Sequence, residues 1–218
     1  MDIREAIEVR HSVRQYKDIP IEGEKAEKLN ELIRKCNEES GLNIQLILND
    51  TECFNTLLSH YGKFRNANNY IALVGKSSID GLDELAGYYG EKLVLFLQTL
   101  GLNTCWTGTF NKKNIDVNVA DDESLVIAIA VGYGKDQGRE RKSKTYDQVT
   151  AGKKDAPDWF KEGVKMALLA PTAINQQKFT IKLNDDESVE FIDNGGVLSR
   201  VDLGIVKCHF EIGAGKNF

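Results

Sequence analysis

Twice along the chain a helix-patterned run is followed by two strand-patterned runs and then by a long apolar helix, first over residues 24–100 and again in the last third. A chain with that order must lay its strands into sheet and cover them with helices, so a compact α/β or α+β body is expected. In residues 23–37, Ala26, Leu29, Leu32, Ile33 and Cys36 share one stripe of a helix. NIQLIL (43–48) and YIALVG (70–75) read as strands, the second largely buried. Over 82–100, Leu85, Tyr89, Leu93, Phe96, Leu97 and Leu100 recur at three and four, and Gly101 is a natural stop. The last third repeats the order. PDWFKEGVKMALL is a helix with Pro157 near its start and Phe160, Val164, Ala167 and Leu168 inward; KFTIKL and SVEFID are strands; VDLGIVKCHFEIGAG is a nearly all-round apolar helix. Gly90, Phe96 and Gly101 have the spacing of Gly204, Phe210 and Gly215. An internal duplication is therefore expected, with pseudo-repeats over 19–150 and 151–218 inside one domain of 1–218.

Composition narrows the class. With 218 residues, 41% of them hydrophobic, the chain has ample material for a core. Its three prolines, Pro20, Pro157 and Pro171, and the lack of a Ser/Gly linker argue against independent modules. The net charge of -5 gives no reason to expect nucleic acid as a partner. The opening MDIREAIEVR is charged and helix-patterned, with Asp2 and Glu5 in capping-box positions. It has neither a signal peptide's apolar core nor a membrane-spanning run, so a soluble, cytoplasmic protein without a membrane partner is expected. Cys36, Cys53, Cys105 and Cys208 lack CxxC spacing and read as reduced, buried thiols. His60 has no second ligand at metal spacing, so no metal site is expected.

Four stretches carry polar chemistry. APTAINQQ (170–177) lies between a helix pattern and a strand pattern, and Pro171 must end the helix near the turn before it. Thr172, Asn175, Gln176 and Gln177 then offer hydrogen bonds to something flat and polar; a plain helix-to-strand connector is the alternative. In RHSVRQY, Arg10, Ser12, Arg14 and Tyr16 alternate with His11, Val13 and Gln15, so an extended segment would set both guanidiniums and the hydroxyl on one side. That suits phosphate or another delocalised anion, whereas a solvated arginine pair is the bland reading. After Gly101, LNTCWTGTFNKKN reads as a turn: Gly108 lets backbone approach a ligand, Trp106 and Phe110 offer apolar walls, and Thr107 and Gly108 could aim N-H groups at a ring. A Gly turn beside core aromatics is as good an account. SLVIAIAVGYG (124–134) is a strong strand leading into KDQGRERKSKTYD, where Lys135, Arg139, Arg141, Lys142 and Lys144 are either a solvated loop or a lid over an anion. Gly132, Gly134 and Gly138 are spaced GxGxxxG and do not make a Rossmann fingerprint.

RHSVRQY, APTAINQQ, CWTGTF and VGYG with its basic tail together resemble the signature pieces of the FMN-dependent nitroreductase superfamily. The proline-asparagine turn departs from that family's usual order, since it falls at residue 171 and not soon after RHSVR. The nearest likeness is to a branch in which one chain imitates the usual dimer. The resemblance implies an α+β fold with an antiparallel-rich mixed sheet flanked by helices, and either a pseudo-dimeric monomer or a homodimer.

It also implies a cofactor, FMN, with NAD(P)H as co-substrate. Arg10 and Ser12 would bind the phosphate and ribityl chain, His11 would contribute backbone, and Arg14 would lie by the pyrimidine edge. Thr107 and Gly108 would approach N5 and O4, while Pro171, Thr172, Ala173 and Asn175 would cover the dimethylbenzene side and the ribityl chain. Lys142, with Arg141 or Lys144 as alternatives, would be a second phosphate cation. Thr172 keeps the hydroxyl of the family's serine. The flavin carries the chemistry, so no protein acid-base dyad is expected; a fixed guanidinium such as Arg14 would tune it by favouring the reduced ring. The expected activity is ping-pong electron transfer from NAD(P)H to nitroaromatic, quinone or similar small-molecule acceptors. The competing expectation is a non-catalytic member of the same fold that holds flavin or another flat ligand.

Overall fold

The computed structural model describes residues 1–54, 64–108 and 115–218. His60 and Phe110, with residues 55–63 of the polar run before YIALVG, lie outside the described residues. Two compact units emerge, one formed by Arg10–Leu82 with Leu93–Arg139, the other by Met1–Val9, Asp83–Lys92 and Glu140–Phe218.

The unit of Arg10–Leu82 and Leu93–Arg139 is built on a four-stranded antiparallel sheet. Its strands are β1 (Gln45–Ile47), β2 (Tyr70–Lys76), β3 (Asn103–Thr107) and β4 (Glu123–Gly132), in the order β1-β2-β4-β3. The central pair is covered on both faces: Ile71 to Val74 and Ile127 to Val131 are buried without alternation, which explains their continuous apolar runs. Helix α2 (Glu24–Ser40) buries Leu29, Ile33 and Cys36, and ends where Gly41 turns left-handed and its N-H reaches Asn37 O. The Asn37 side chain then accepts from Ile44 N-H at 2.7 Å and donates to Ile44 O at 3.0 Å, fixing the entry to β1. Phe54 stacks on Phe64 and meets Tyr70 edge-on at 5.7 Å, within a core that includes Val13, Tyr16, Ala72 and Cys105.

Helix α3 (Leu82–Thr99) contributes its first turns to one unit and its last to the other. It stops as expected: Gly101 has φ 75, its N-H meets Gln98 O, and Leu102 N-H reaches back to Leu97 O at 3.0 Å.

The second unit holds α1 (Ile3–Val9), α4 (Tyr146–Val149), α5 (Asp158–Ala167) and α6 (Ser199–Ala214). Its three-stranded sheet is β5 (Thr150–Gly152), β6 (Phe179–Leu183) and β7 (Val189–Asp193), with β5 parallel and β7 antiparallel to β6. The capping box of α1 forms reciprocally, Asp2 N-H to Glu5 and Glu5 N-H to Asp2, each at 2.9 Å. Almost every residue of α6 from Val201 to Gly213 is buried, including Asp202, His209 and Glu211. Glycine lets its neighbours come this close: a side chain at Gly163 would meet the Phe210 ring, and one at Gly213 the Glu162 carbonyl. Within this interior His209 and Glu91 form a fully buried pair, with Nε2 to Oε1 at 2.8 Å, and His209 Nδ1 lies 3.1 Å from Met166 O.

The α+β fold with antiparallel-rich sheet flanked by helices is as expected; its described strands lie in two sheets, and among the strand pairs only β5 with β6 is parallel. NTCWT is strand β3 and not part of a turn, because its five residues pair along β4 from Asn103↔Gly132 to Thr107↔Ala128. The repeated order is present as α2, β1, β2, α3 and as α5, β6, β7, α6, with each strand pair antiparallel. That is an agreement of element order and does not establish duplication. All four cysteines are buried, and none is in a disulfide. Among the described residues no helix is long and apolar enough to cross a membrane.

Candidate functional site

The RHSVRQY segment belongs to the unit of Arg10–Leu82 and Leu93–Arg139, and it docks there as extended chain. Val13 and Tyr16, each about 1 % exposed, are its anchors. Val13 N-H donates to Thr104 O at 3.0 Å, and Ser12 bridges Thr104 in parallel, so the segment lies along β3. Tyr16 bridges Gly134, Lys17 N-H donates to Tyr133 O, and Lys135 N-H returns a bond to Gln15 O. The Tyr16 ring needs the missing side chain of Gly132, where a Cβ would stand 2.9 Å from the ring. Its hydroxyl donates to Val13 O at 2.5 Å, and burial pushes its pKa well up.

The expected alternation holds only in part. Arg10 is buried, His11 and Ser12 are half-buried, and Arg14 is exposed. Tyr16 turns inward with Val13 three residues before it, because the chain changes bridging partner between Ser12 and Gln15. Even so, both guanidiniums and the serine converge on one strand. Burial pushes the Cys105 thiol of β3 up, while Arg14, a hydrogen bond with Ser12, and Arg10 pull it down. All three therefore lie close to Cys105. Two residues further on, Thr107 is buried at the end of β3 and Gly108 is exposed. Gly138, at φ 78, packs on the other side of the segment, where a Cβ would come 2.6 Å from His11 Cβ and 3.0 Å from Ser12 O. The glycine of the basic tail is thus a spacer for His11 and Ser12.

In the other unit, APTAINQQ forms a single 3-10 turn over Ala173–Asn175 after Pro171, which is buried. Ile174, Asn175 and Gln177 have φ 48, 55 and 47, three left-handed residues none of which is glycine, with Gln176 at φ -72 between the last two. The amides expected to face a ligand instead hold the turn. Gln176 Nε2 donates to Val197 O and to Asp202 Oδ2, both at 2.8 Å. Buried Gln177 donates from Nε2 to Lys142 O at 3.0 Å and accepts Lys144 N-H at 2.8 Å, while Thr172 Oγ1 accepts Gln177 N-H. Asn175 Nδ2 also donates to Lys142 O, at 3.0 Å. The turn and the basic tail are thus one hydrogen-bonded body, a link that sequence spacing did not reveal.

That body sorts the three candidate cations. Lys144 Nζ donates to Gln177 O at 2.6 Å, Arg141 is half-buried, and Lys142 is exposed with its carbonyl held by Asn175 and Gln177. Asp202, which the sequence reading passed over, accepts Ala173 N-H through both carboxylate oxygens, at 2.9 and 3.1 Å. Its signal was a lone acid in the first turn of an otherwise apolar helix. Among the described residues no group of His, Cys, Asp or Glu could hold a metal ion.

Comparison with known proteins agrees with the fold. A "putative nitroreductase" of Thermotoga maritima superposes with a TM-score of 0.70 at 23% identity, covering 98% of this chain and 83% of that one. A "putative nitroreductase in complex with FMN" from Exiguobacterium sibiricum gives 0.52 at 14% identity, covering 68% of this chain and 95% of that one. A "Putative NADH dehydrogenase/NAD(P)H nitroreductase" from Bacteroides thetaiotaomicron gives 0.54 at 15% identity, covering 67% and 95%. These likenesses establish the α+β fold of nitroreductases. No curated protein matches the sequence. The family described as "Putative TM nitroreductase" matches residues 2–214, nearly the whole chain, and the protein belongs to that family.

Proposed function

We propose that the protein is an FMN-dependent oxidoreductase that takes electrons from NAD(P)H and passes them to nitroaromatic, quinone or similar small acceptors. The observation that carries this is the docking of the segment bearing Arg10, Ser12 and Arg14, which Ser12 and Val13 hold to Thr104 of β3, the strand that ends at Thr107 beside Gly108. The donor set fits FMN chemically. Guanidinium forks and a hydroxyl match a near-dianionic phosphate and its ribityl chain, and a guanidinium near the ring's pyrimidine edge favours its reduced form. Arg10 and Ser12 are the proposed phosphate and ribityl contacts, His11 a backbone contact, Arg14 the ring partner, and Thr107 and Gly108 the N5 and O4 neighbours. In the second unit, Pro171, Thr172, Ala173 and Asn175 are proposed as contacts to the dimethylbenzene and ribityl parts, with Lys142 as second phosphate cation.

Support comes from outside the chain as well: fold relatives from Desulfovibrio desulfuricans and Exiguobacterium sibiricum are described in complex with FMN, and one from Bacteroides thetaiotaomicron as an NAD(P)H nitroreductase. When bound, FMN supplies the two-electron chemistry by accepting a hydride and giving the electrons up to a second substrate. The protein's part is to bind, orient and tune it. A pseudo-dimeric monomer or a homodimer, at work in the cytoplasm, completes the proposal. The test is anaerobic titration of FMN-reconstituted protein with NADH and with NADPH, followed by addition of menadione. Bleaching and recovery of the flavin band is expected; a bound but unreactive flavin marks a binding protein, and no uptake overturns the assignment.

A further inference from the structure

Asp202 lies in the first turn of α6, 6 % exposed, and its carboxylate is directed at the turn of Ala173–Asn175. It accepts Ala173 N-H through both oxygens and Gln176 Nε2 through Oδ2. The residues between these two donors are Ile174 and Asn175, at φ 48 and 55. Asparagine tolerates that conformation, but a β-branched isoleucine resists it and persists only where its surroundings impose it. Isoleucine earns nothing from packing here, being 87 % exposed. Two charge-assisted anchors, one on each side, are what impose the geometry.

We propose that Asp202 is a positioning residue for the cofactor: by clasping Ala173 N-H and the Gln176 amide it holds the turn in the left-handed form that contacts FMN. This rests on the flavin assignment above. The groups facing the carboxylate are the Ala173 N-H and the Gln176 amide from the turn, both uncharged, and Asp193 from the end of β7, a second acid. Burial, with a smaller push from Asp193, raises the Asp202 carboxyl to about 6, while its two donors pull the other way. The clasp is therefore charge-assisted above that pH and weakened below it.

The test compares wild type with Asp202→Ala and Asp202→Asn, the latter keeping one acceptor oxygen for Ala173 N-H. Two readouts are taken: hydrogen exchange across the 170–178 segment in flavin-free protein, and FMN affinity from about pH 5 to about pH 8. Asp202→Ala is expected to speed exchange in that segment and to weaken FMN about tenfold or more, with Asp202→Asn recovering much of both. The ratio of wild-type to Asp202→Asn affinity is expected to rise through about pH 6, a ratio from which the phosphate's own titration cancels. Unchanged exchange in both variants overturns the clasp. Faster exchange with unaltered FMN affinity, or a pH-independent ratio, overturns the positioning role. Wild type that takes up no FMN overturns the flavin assignment instead, and exchange then decides the clasp alone. If the alanine variant does not fold, the asparagine variant carries the comparison.

Discussion

Gly204 of α6 lies against the carbonyl oxygen of Glu84 in α3 so closely that a Cβ there would overlap it, and Gly87 of α3 stands in the same relation to the carbonyl of Val201. The two contacts are reciprocal: each helix offers one glycine to the other's backbone. Backbone atoms cannot swing aside as a side-chain end can, so a methyl group must push the helices apart.

Gly204→Ala is accordingly expected to cost about 2–4 kcal/mol, more than helix propensity alone could return. Urea unfolding of wild type and variant measures it. A variant as stable as wild type would show that α3 and α6 are not packed through these glycines.

The buried pair of Glu91 and His209 has a different sensitivity. With Nε2 on a carboxylate and Nδ1 on the Met166 carbonyl, both ring nitrogens face acceptors. Glu91→Gln or His209→Phe alone is expected to destabilise by about 3–5 kcal/mol, because each breaks a fully buried hydrogen-bonded pair. The double variant is expected to cost clearly less than the two singles added, and a double-mutant cycle from chemical denaturation reads the coupling.

Arg10 and Arg14 differ in burial, so their alanine variants should separate stability from ligand binding. Arg14 is exposed, and Arg14→Ala is expected to leave the melting temperature within about 2 °C while weakening FMN and slowing flavin reduction. Arg10 is 2 % exposed, and its replacement is expected to lower both stability and FMN affinity. Thermal melts and fluorescence titration with FMN make the comparison; an Arg14→Ala protein with unchanged affinity and reduction rate removes that residue from the proposed site.

Most long elements were legible because burial writes itself into period. α2, α3, α5 and α6 showed helical stripes, and β2 and β4 showed unbroken apolar runs because both faces of that pair are covered. β3 was not legible: five residues, two of them threonine, followed by a glycine look like a turn until β4 is there to pair with them. The candidate segments were found through their charge and amides, yet what those amides do was misjudged. Gln176 and Gln177 are satisfied by Val197, Lys142 and Asp202, partners 21 to 35 residues away, which no local pattern encodes. Asp202 itself was missed for the same reason.

Asp202 also fixes the sign of a pH dependence. Its folded carboxyl titrates at about 6, above the ordinary unfolded value of about 3.9, so the native state holds this proton more tightly than the unfolded chain does. Its contribution to stability is complete below about pH 4 and is lost as pH rises through about 6, on the order of 2–3 kcal/mol. The stability difference between Asp202→Asn and wild type should therefore grow with pH over that window. Denaturation curves at about pH 4, 5, 6 and 7 test it, and a constant difference would place the carboxyl's titration elsewhere.

Beside its local bond to Val13 O, Tyr16 accepts from Asn66 Nδ2 and donates to Ala130 O, partners 50 and 114 residues further along the chain. Closing such long loops carries an entropic cost that only the assembled sheet offsets. The segment around Tyr16 therefore stays without its long-range anchors until β4 is in place. Retention of a cofactor at the proposed FMN site would then wait on β4.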